Sequence, residues 1–81
     1  MTIRVKLFAM AKDIVGSDEI DVEVPDNGQV ADLRIAVINA FPSLSAVIRH
    51  AMIAINTQYA DDRAVLSADA DVAVIPPVSG G

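Results

Sequence analysis

Cysteine is absent from this sequence of 81 residues, and histidine occurs only once, as His50. Without cysteine there is no disulfide framework, no thiolate nucleophile and no cysteine-ligated zinc site, and a single histidine cannot form a ligand cluster. A metal site is therefore not expected. The length allows one small domain, near the lower limit at which a single core holds a fold without disulfides or metals.

Basic residues are also scarce. Six lysines and arginines stand against eleven acidic residues, which gives a net charge of −5. This charge opposes binding to phosphate backbones and to anionic membranes, so nucleic acid is not an expected partner. No apolar run approaches the roughly 20 residues that span a bilayer, and the first residues alternate charge with hydrophobe, unlike a signal peptide. We expect a cytoplasmic protein without a membrane segment.

Hydrophobic residues, in contrast, are abundant. They make up 53% of the chain, and the mean hydropathy is +0.46. These values are high for so short a chain, so the sequence predicts both a dense core and an apolar surface left for a partner.

Two segments near the N-terminus alternate with the period of a half-buried strand, residues 2–8 and residues 19–24. In the first, one side carries Ile3, Val5 and Leu7, and the other carries Arg4, Lys6 and Phe8. The two segments can pair as a hairpin. Their connection is predicted to contain a short helical turn over residues 10–15, ended by Gly16.

A helix is predicted over residues 29–40, after a cluster of turn residues in which Asp26 or Asn27 could be the N-cap. Ile35 lies nearly opposite the apolar face, which consists of Val30, Leu33, Ala36, Val37, Ala40 and Phe41. Residues 44–48 favour a further short helical stretch. The remaining strands are predicted at residues 51–55, 64–66 and 71–75, with a turn over residues 56–62. This order gives an α+β domain in which one main helix covers one face of a mixed sheet of about five strands.

The chain closes with the tail Pro76-Pro77-Val78-Ser79-Gly80-Gly81. The two prolines remove the donors of a strand ladder and hold the start of the tail extended. The two glycines lack a Cβ, so their backbone can pass through a narrow channel. Six residues reach about 20 Å. We therefore divide the chain into a domain of residues 1–75 and an extended tail of residues 76–81.

The sequence resembles the small subunit of molybdopterin synthase over nearly its whole length. The resemblance rests on Val5-Lys6-Leu7-Phe8-Ala9, on Asp13-Ile14-Val15-Gly16, on Ala54-Ile55-Asn56, and above all on residues 71–81 with their double proline and terminal double glycine. It implies a β-grasp, or ubiquitin-like, fold. Three positions depart from the family pattern: Ile75 is often aromatic there, Asp69 replaces a glycine, and Lys12-Asp13 replaces an Arg-Glu pair.

The resemblance also implies a function. The C-terminal carboxylate, here on Gly81 next to Gly80, would be adenylated by an E1-like activating enzyme that uses ATP and converted to a thiocarboxylate. It would then enter the large subunit and give its sulfur to cyclic pyranopterin monophosphate, on the way to the molybdenum cofactor. The carrier would not be an enzyme by itself, and it would bind no cofactor of its own.

Strand parity places Phe8 and Ile75 on the outward side of the sheet, beside the start of the tail. We predict that both contact a partner, together with the tail residues Pro76, Pro77, Val78 and Ser79. For Phe8, a place in the core is an equally good interpretation. Tyr59 is expected to cover an edge of the core, and His50 is given no role.

Two other functions stay open. A sulfur carrier of thiamin thiazole synthesis would share the fold and the terminal double glycine, although that family generally lacks the Pro-Pro-Val-Ser approach. A ubiquitin-like protein modifier or interaction module would share the fold and differ in where the carboxylate of Gly81 is attached.

Overall fold

The chain opens with an antiparallel pair of strands, β1 (Thr2–Leu7) and β2 (Glu19–Glu23). In the computed structural model, which describes residues 1–77, they are joined through a short helix, α1 (Ala9–Val15). Gly16 ends this helix in the left-handed conformation, with φ 79°. The predicted hairpin, helical turn and terminating glycine are all confirmed.

The main helix is α2 (Val30–Ala40), followed by a 3₁₀ turn (Pro42–Leu44) and α3 (Ser45–His50). The predicted caps, Asp26 and Asn27, are wrong. Asn27 is in a left-handed turn with φ 60°, so the helix begins later, with Gln29 as its N-cap. There the backbone N–H of Gln29 donates to the carboxylate of Asp32 at 2.8 Å, which satisfies a donor at the helix start.

Three further strands complete the sheet: β3 (Met52–Ile55), β4 (Gln58–Ala60) and β5 (Val72–Ile75). The strand order is β2-β1-β5-β3-β4. β5 lies between β1, to which it is parallel, and β3, to which it is antiparallel. The C-terminal strand is therefore the central strand of the mixed sheet.

The fourth strand predicted at residues 64–66 is wrong. β4 instead follows a two-residue turn of Asn56 and Thr57, both with positive φ, which is the backbone that tight hairpins favour. Residues 64–66 hold the start of α2: the carbonyl of Ala64 accepts the N–H of Val30 at 3.0 Å, and the N–H of Leu66 donates to the carbonyl of Gly28 at 2.8 Å. An unpaired N–H of the first helical turn is satisfied in this way.

The core lies between the sheet and the helices. From α2 it takes Val30, Leu33 and Val37, all fully buried, while Ile35 is 58% exposed, as predicted. The sheet contributes alternate residues, among them Ile3, Val5, Leu7, Val72 and Val74. Within residues 1–77 no helix is long and apolar enough to cross a membrane. The division of the chain into a domain of residues 1–75 and a tail of residues 76–81 stays a prediction.

Candidate functional site

The root of the tail leaves the middle of the sheet. Ile75, the last residue of β5, pairs with Met52 of β3, and the next two residues are Pro76, which is half-buried, and Pro77, which is exposed. Neither proline can donate a backbone hydrogen bond, so the ladder ends here. Four predicted site residues lie outside the described residues: Val78, Ser79, Gly80 and Gly81.

The side of the sheet that faces away from the helices carries a row of residues across four strands. The register pairs Lys6 with Ala73, Ala73 with Ala54, and Ala54 with Tyr59. Because paired residues point to the same side of a sheet, these side chains are neighbours. Met52 and Ile75 form a second, shorter row beside them.

These rows border a concavity of about 390 Å³. We call it the outer face; it is lined by Lys6, Phe8, Ala54, Thr57, Tyr59, Asp71, Ala73 and Ile75. The two partner-contact residues predicted on the sheet, Phe8 and Ile75, are therefore brought together in one concavity at the root of the tail.

Phe8 is not a core residue. It follows the last residue of β1 and is the N-cap of α1, with φ −128° and ψ 157°. Phe8 is 48% exposed, which overturns the core interpretation. The next residue, Ala9, takes a positive φ of 50°, a conformation that costs an L-residue about 1 kcal/mol or more. The chain thus accepts local strain directly after the exposed aromatic ring.

Tyr59 lines the outer face and Met52 lies beside it, and the sequence interpretation missed both. Tyr59 is on β4 and 66% exposed, so it does not cover an edge of the core. Met52 is 49% exposed and pairs with Ile75. In the sequence, Asn56 is the residue that indicates the β3–β4 hairpin and thus the place of Tyr59 on a strand. Asparagine is one of the few residues that readily adopt positive φ in a hairpin turn.

The charges around the outer face are solvated pairs. Lys6 Nζ lies 3.4 Å from Asp71 Oδ1, with the two side chains 47% and 53% exposed. Arg4 Nε lies 3.3 Å from Asp21 Oδ1 and 3.5 Å from Glu19 Oε2. The acidic side of β2, which carries Glu19, Asp21 and Glu23, thus faces solvent. Among residues 1–77, no group of three or more histidine, cysteine or acidic residues could hold a metal ion.

Comparison with known proteins agrees with this geometry. The pattern of the ThiS family matches residues 5–81. The molybdopterin synthase sulfur carrier subunit of Chlamydomonas reinhardtii is 35% identical over 83 residues, which cover all of both chains.

Two solved structures extend the comparison. The crystal structure of SAMP1 from Haloferax volcanii is 30% identical, covers all of both chains and has a TM-score of 0.87. A complex of subunits 1 and 2 of the molybdopterin-converting factor from Helicobacter pylori is 21% identical, also covers all of both chains, and has a TM-score of 0.69; this likeness concerns the fold alone. The chain belongs to the ThiS family and is a relative of the molybdopterin synthase sulfur carrier subunits, on the ubiquitin-like β-grasp fold.

Proposed function

We propose that the chain is the sulfur carrier subunit of a molybdopterin synthase, with the carboxylate of Gly81 as its reacting group. The observation that carries this proposal is that the match to the family pattern extends through Gly81, so the matched region includes the terminal double glycine. The central position of β5 supports it, because the strand that leads to the tail is held from both sides.

The chemistry requires activation of the tail. A terminal carboxyl group is ionised at neutral pH, and an anion resists attack by a sulfur nucleophile. An E1-like activating enzyme would transfer the adenylyl group of ATP to the carboxylate, with release of pyrophosphate. Sulfur then replaces AMP at the acyl carbon and leaves a thiocarboxylate. No side chain of the carrier takes part, so the chain would act only as a subunit of the complete synthase.

The second half of the reaction takes place in the large subunit, in the cytoplasm. The tail from Pro76 to Gly81 would enter the active site of that subunit and give its sulfur to cyclic pyranopterin monophosphate. The outer face would dock outside the channel, with Phe8 and Ile75 as contacts, and Pro76, Pro77, Val78 and Ser79 would line the entrance. Exposed apolar side chains grouped around one concavity are typical of such docking surfaces.

The decisive experiment uses ATP, the activating enzyme with a sulfur donor, and intact mass measurement. Exchange of the terminal oxygen for sulfur should add about 16 Da to the chain, by the elementary mass difference. A variant without Gly81 should show no such gain and no sulfur transfer, while its thermal unfolding stays unchanged. Substantial transfer by that variant, or a natural chain that continues past Gly81 without trimming, would contradict the proposal.

A protein modifier is the second candidate. It is favoured by the likeness to SAMP1 from Haloferax volcanii and to a second structure from that organism, which is named small archaeal modifier protein 1. The same incubation separates the two functions, because a modifier would become attached to lysines of target proteins. The thiazole carrier is distinguished by copurification, since a thiazole synthase would accompany it instead of a molybdopterin synthase large subunit.

A further inference from the structure

A second concavity lies on the other side of the tail root, between α1 and α3. It measures about 160 Å³. We call it the tail-root cleft; it is lined by Met10, Ala46, Val47, His50, Pro76 and Pro77. The sequence interpretation gave no role to any of the four helical residues. They come from two helices that are far apart in sequence and meet at the end of β5.

We infer that the tail-root cleft is a second contact surface for the molybdopterin synthase large subunit, and that it receives one apolar side chain carried next to a carboxylate. This inference rests on the proposed function. The inference goes beyond the proposed function because it assigns a separate contact site, opposite the outer face, and the chemistry of the partner segment that fills this site.

The size and lining of the cleft favour a single protein side chain. Pockets for small-molecule ligands measure about 300–1,000 Å³, so a cleft of about 160 Å³ is too small for such a ligand. Its walls are a thioether, aliphatic side chains and two proline rings, and His50 is its one titratable group. Met10 is 45% exposed and Ala46 is exposed, so the cleft opens to solvent and a side chain can enter.

Continuity with the tail points to the same partner that receives it. Ile75 lines the outer face, and the next residue, Pro76, lines the tail-root cleft. A protein that encloses the tail from residue 76 onward therefore meets both surfaces at once. Contact on one side alone would leave the root free to swing, whereas contact on both sides fixes the direction in which the tail enters the channel.

The positive charge of Arg49 indicates which group of the partner should lie beside the apolar side chain that enters the cleft. Arg49 lies in the last turn of α3, next to His50, and has no acidic partner within 4.0 Å among residues 1–77. Of the other five basic side chains, Arg4, Lys6 and Arg34 each pair with an acidic residue, whereas Lys12 and Arg63 have no such partner within residues 1–77 and do not adjoin a residue of the cleft. In a chain with a net charge of −5, an exposed arginine next to His50, which lines the cleft, suits a carboxylate on the partner.

The test measures binding of the purified large subunit from the same organism to the full chain by calorimetry. Ala46→Phe fills the cleft and should weaken binding about tenfold or more. Asn39→Phe adds the same ring at an exposed position of α2 and should change the affinity by less than about twofold. Thermal unfolding of each variant shows whether it folds.

A second pair of variants tests the contribution of the positive charge of Arg49 to binding. Arg49→Glu should weaken binding about threefold to tenfold, with a smaller loss at high salt. Arg63→Glu is the matched control, because Arg63 also has no acidic partner within 4.0 Å in residues 1–77, and it should leave the affinity unchanged. This pair decides the question if Ala46→Phe fails to fold.

The outcomes are distinguishable. Normal binding by Ala46→Phe and Arg49→Glu, with binding lost in Phe8→Ala, would overturn the cleft inference and leave the proposed function standing. Failure of the unaltered chain to bind the large subunit or to donate sulfur would overturn both. Weakening by the cleft variants but not by Asn39→Phe and Arg63→Glu, with normal formation of the thiocarboxylate by the activating enzyme, would support the inference.

Discussion

Asn56 is hydrogen-bonded twice to Asp71. Its backbone N–H donates to the carbonyl oxygen of Asp71 at 2.8 Å, and its side-chain Oδ1 accepts the backbone N–H of Asp71 at 3.0 Å. Asp71 directly precedes β5, so this pair fixes the β3–β4 turn against the strand that leads to the tail.

The first prediction concerns this pair. Asn56→Ala should lower the free energy of unfolding by about 1–3 kcal/mol, because it loses the side-chain hydrogen bond and places alanine at φ 50°. Asn56→Gly keeps the favourable backbone and should cost less. Urea unfolding measures both. Equal losses in the two variants would show that the left-handed backbone contributes nothing.

The second prediction concerns Gly28, which is buried beside the start of α2. A Cβ there would lie 2.5 Å from Val24 Cγ1 and 2.8 Å from the carbonyl oxygen of Pro25. Gly28→Ala should therefore destabilise the fold by about 1–3 kcal/mol through overpacking. Gly16 is the comparison, since a Cβ there meets nothing within 4 Å but φ is +79°. At Gly16, substitution by asparagine should destabilise the fold less than substitution by alanine, whereas at Gly28 asparagine should destabilise it more. The reverse order would contradict the assignment of Gly16 to its backbone conformation and of Gly28 to its tight packing.

The third prediction separates binding from stability on the outer face. Phe8→Ala should weaken binding of the large subunit about tenfold or more, because it removes an aromatic contact. Its unfolding free energy should change by less than about 1 kcal/mol, since Phe8 is 48% exposed. Ile35→Ala, at a 58% exposed position on α2, should change neither quantity. Calorimetry and thermal unfolding measure the two effects, and equal binding losses at both positions would argue against a specific docking surface.

The fourth prediction concerns Arg34, which is 19% exposed in its side chain. Its Nε donates to Asp62 at 2.8 Å, and its Nη1 donates to the carbonyl oxygen of Ile48. Arg34→Met should cost about 1–3 kcal/mol, chiefly because the carbonyl of Ile48 loses its charged donor. Arg63→Met should cost less than about 0.5 kcal/mol, since Arg63 is an exposed surface residue. Chemical denaturation of the two variants gives the comparison.

Much of the fold follows from the sequence because the strand period is strict. Ile3, Val5 and Leu7 alternate with polar residues, so the buried side of β1 can be predicted without the structure. The same parity placed Phe8 and Ile75 on the outward side. β4 was missed because its turn, Asn56-Thr57, contains no glycine, which is the usual hairpin signal.

Residues 64–66 misled the prediction for a physical reason. Ala64-Val65-Leu66 is a short apolar run, a pattern that strands share with other buried segments. Its hydrogen bonds go to the start of α2 and leave only an isolated bridge between Val65 and Gln29. The tail-root cleft could not be predicted at all. Its walls come from three separate segments, around Met10, Val47 and Pro76, and only the folded chain brings them together.

The parallel pairing of β1 with β5 has a mechanical consequence. β1 begins at Thr2 and β5 ends at Ile75, and because the two strands run side by side in the same direction, their outer termini lie at opposite ends of the ladder. A pull that separates those termini loads the interstrand hydrogen bonds together, in shear, instead of opening them one after another. The pairing of β1 with β5 therefore resists traction that is applied between the N-terminus and the root of the tail.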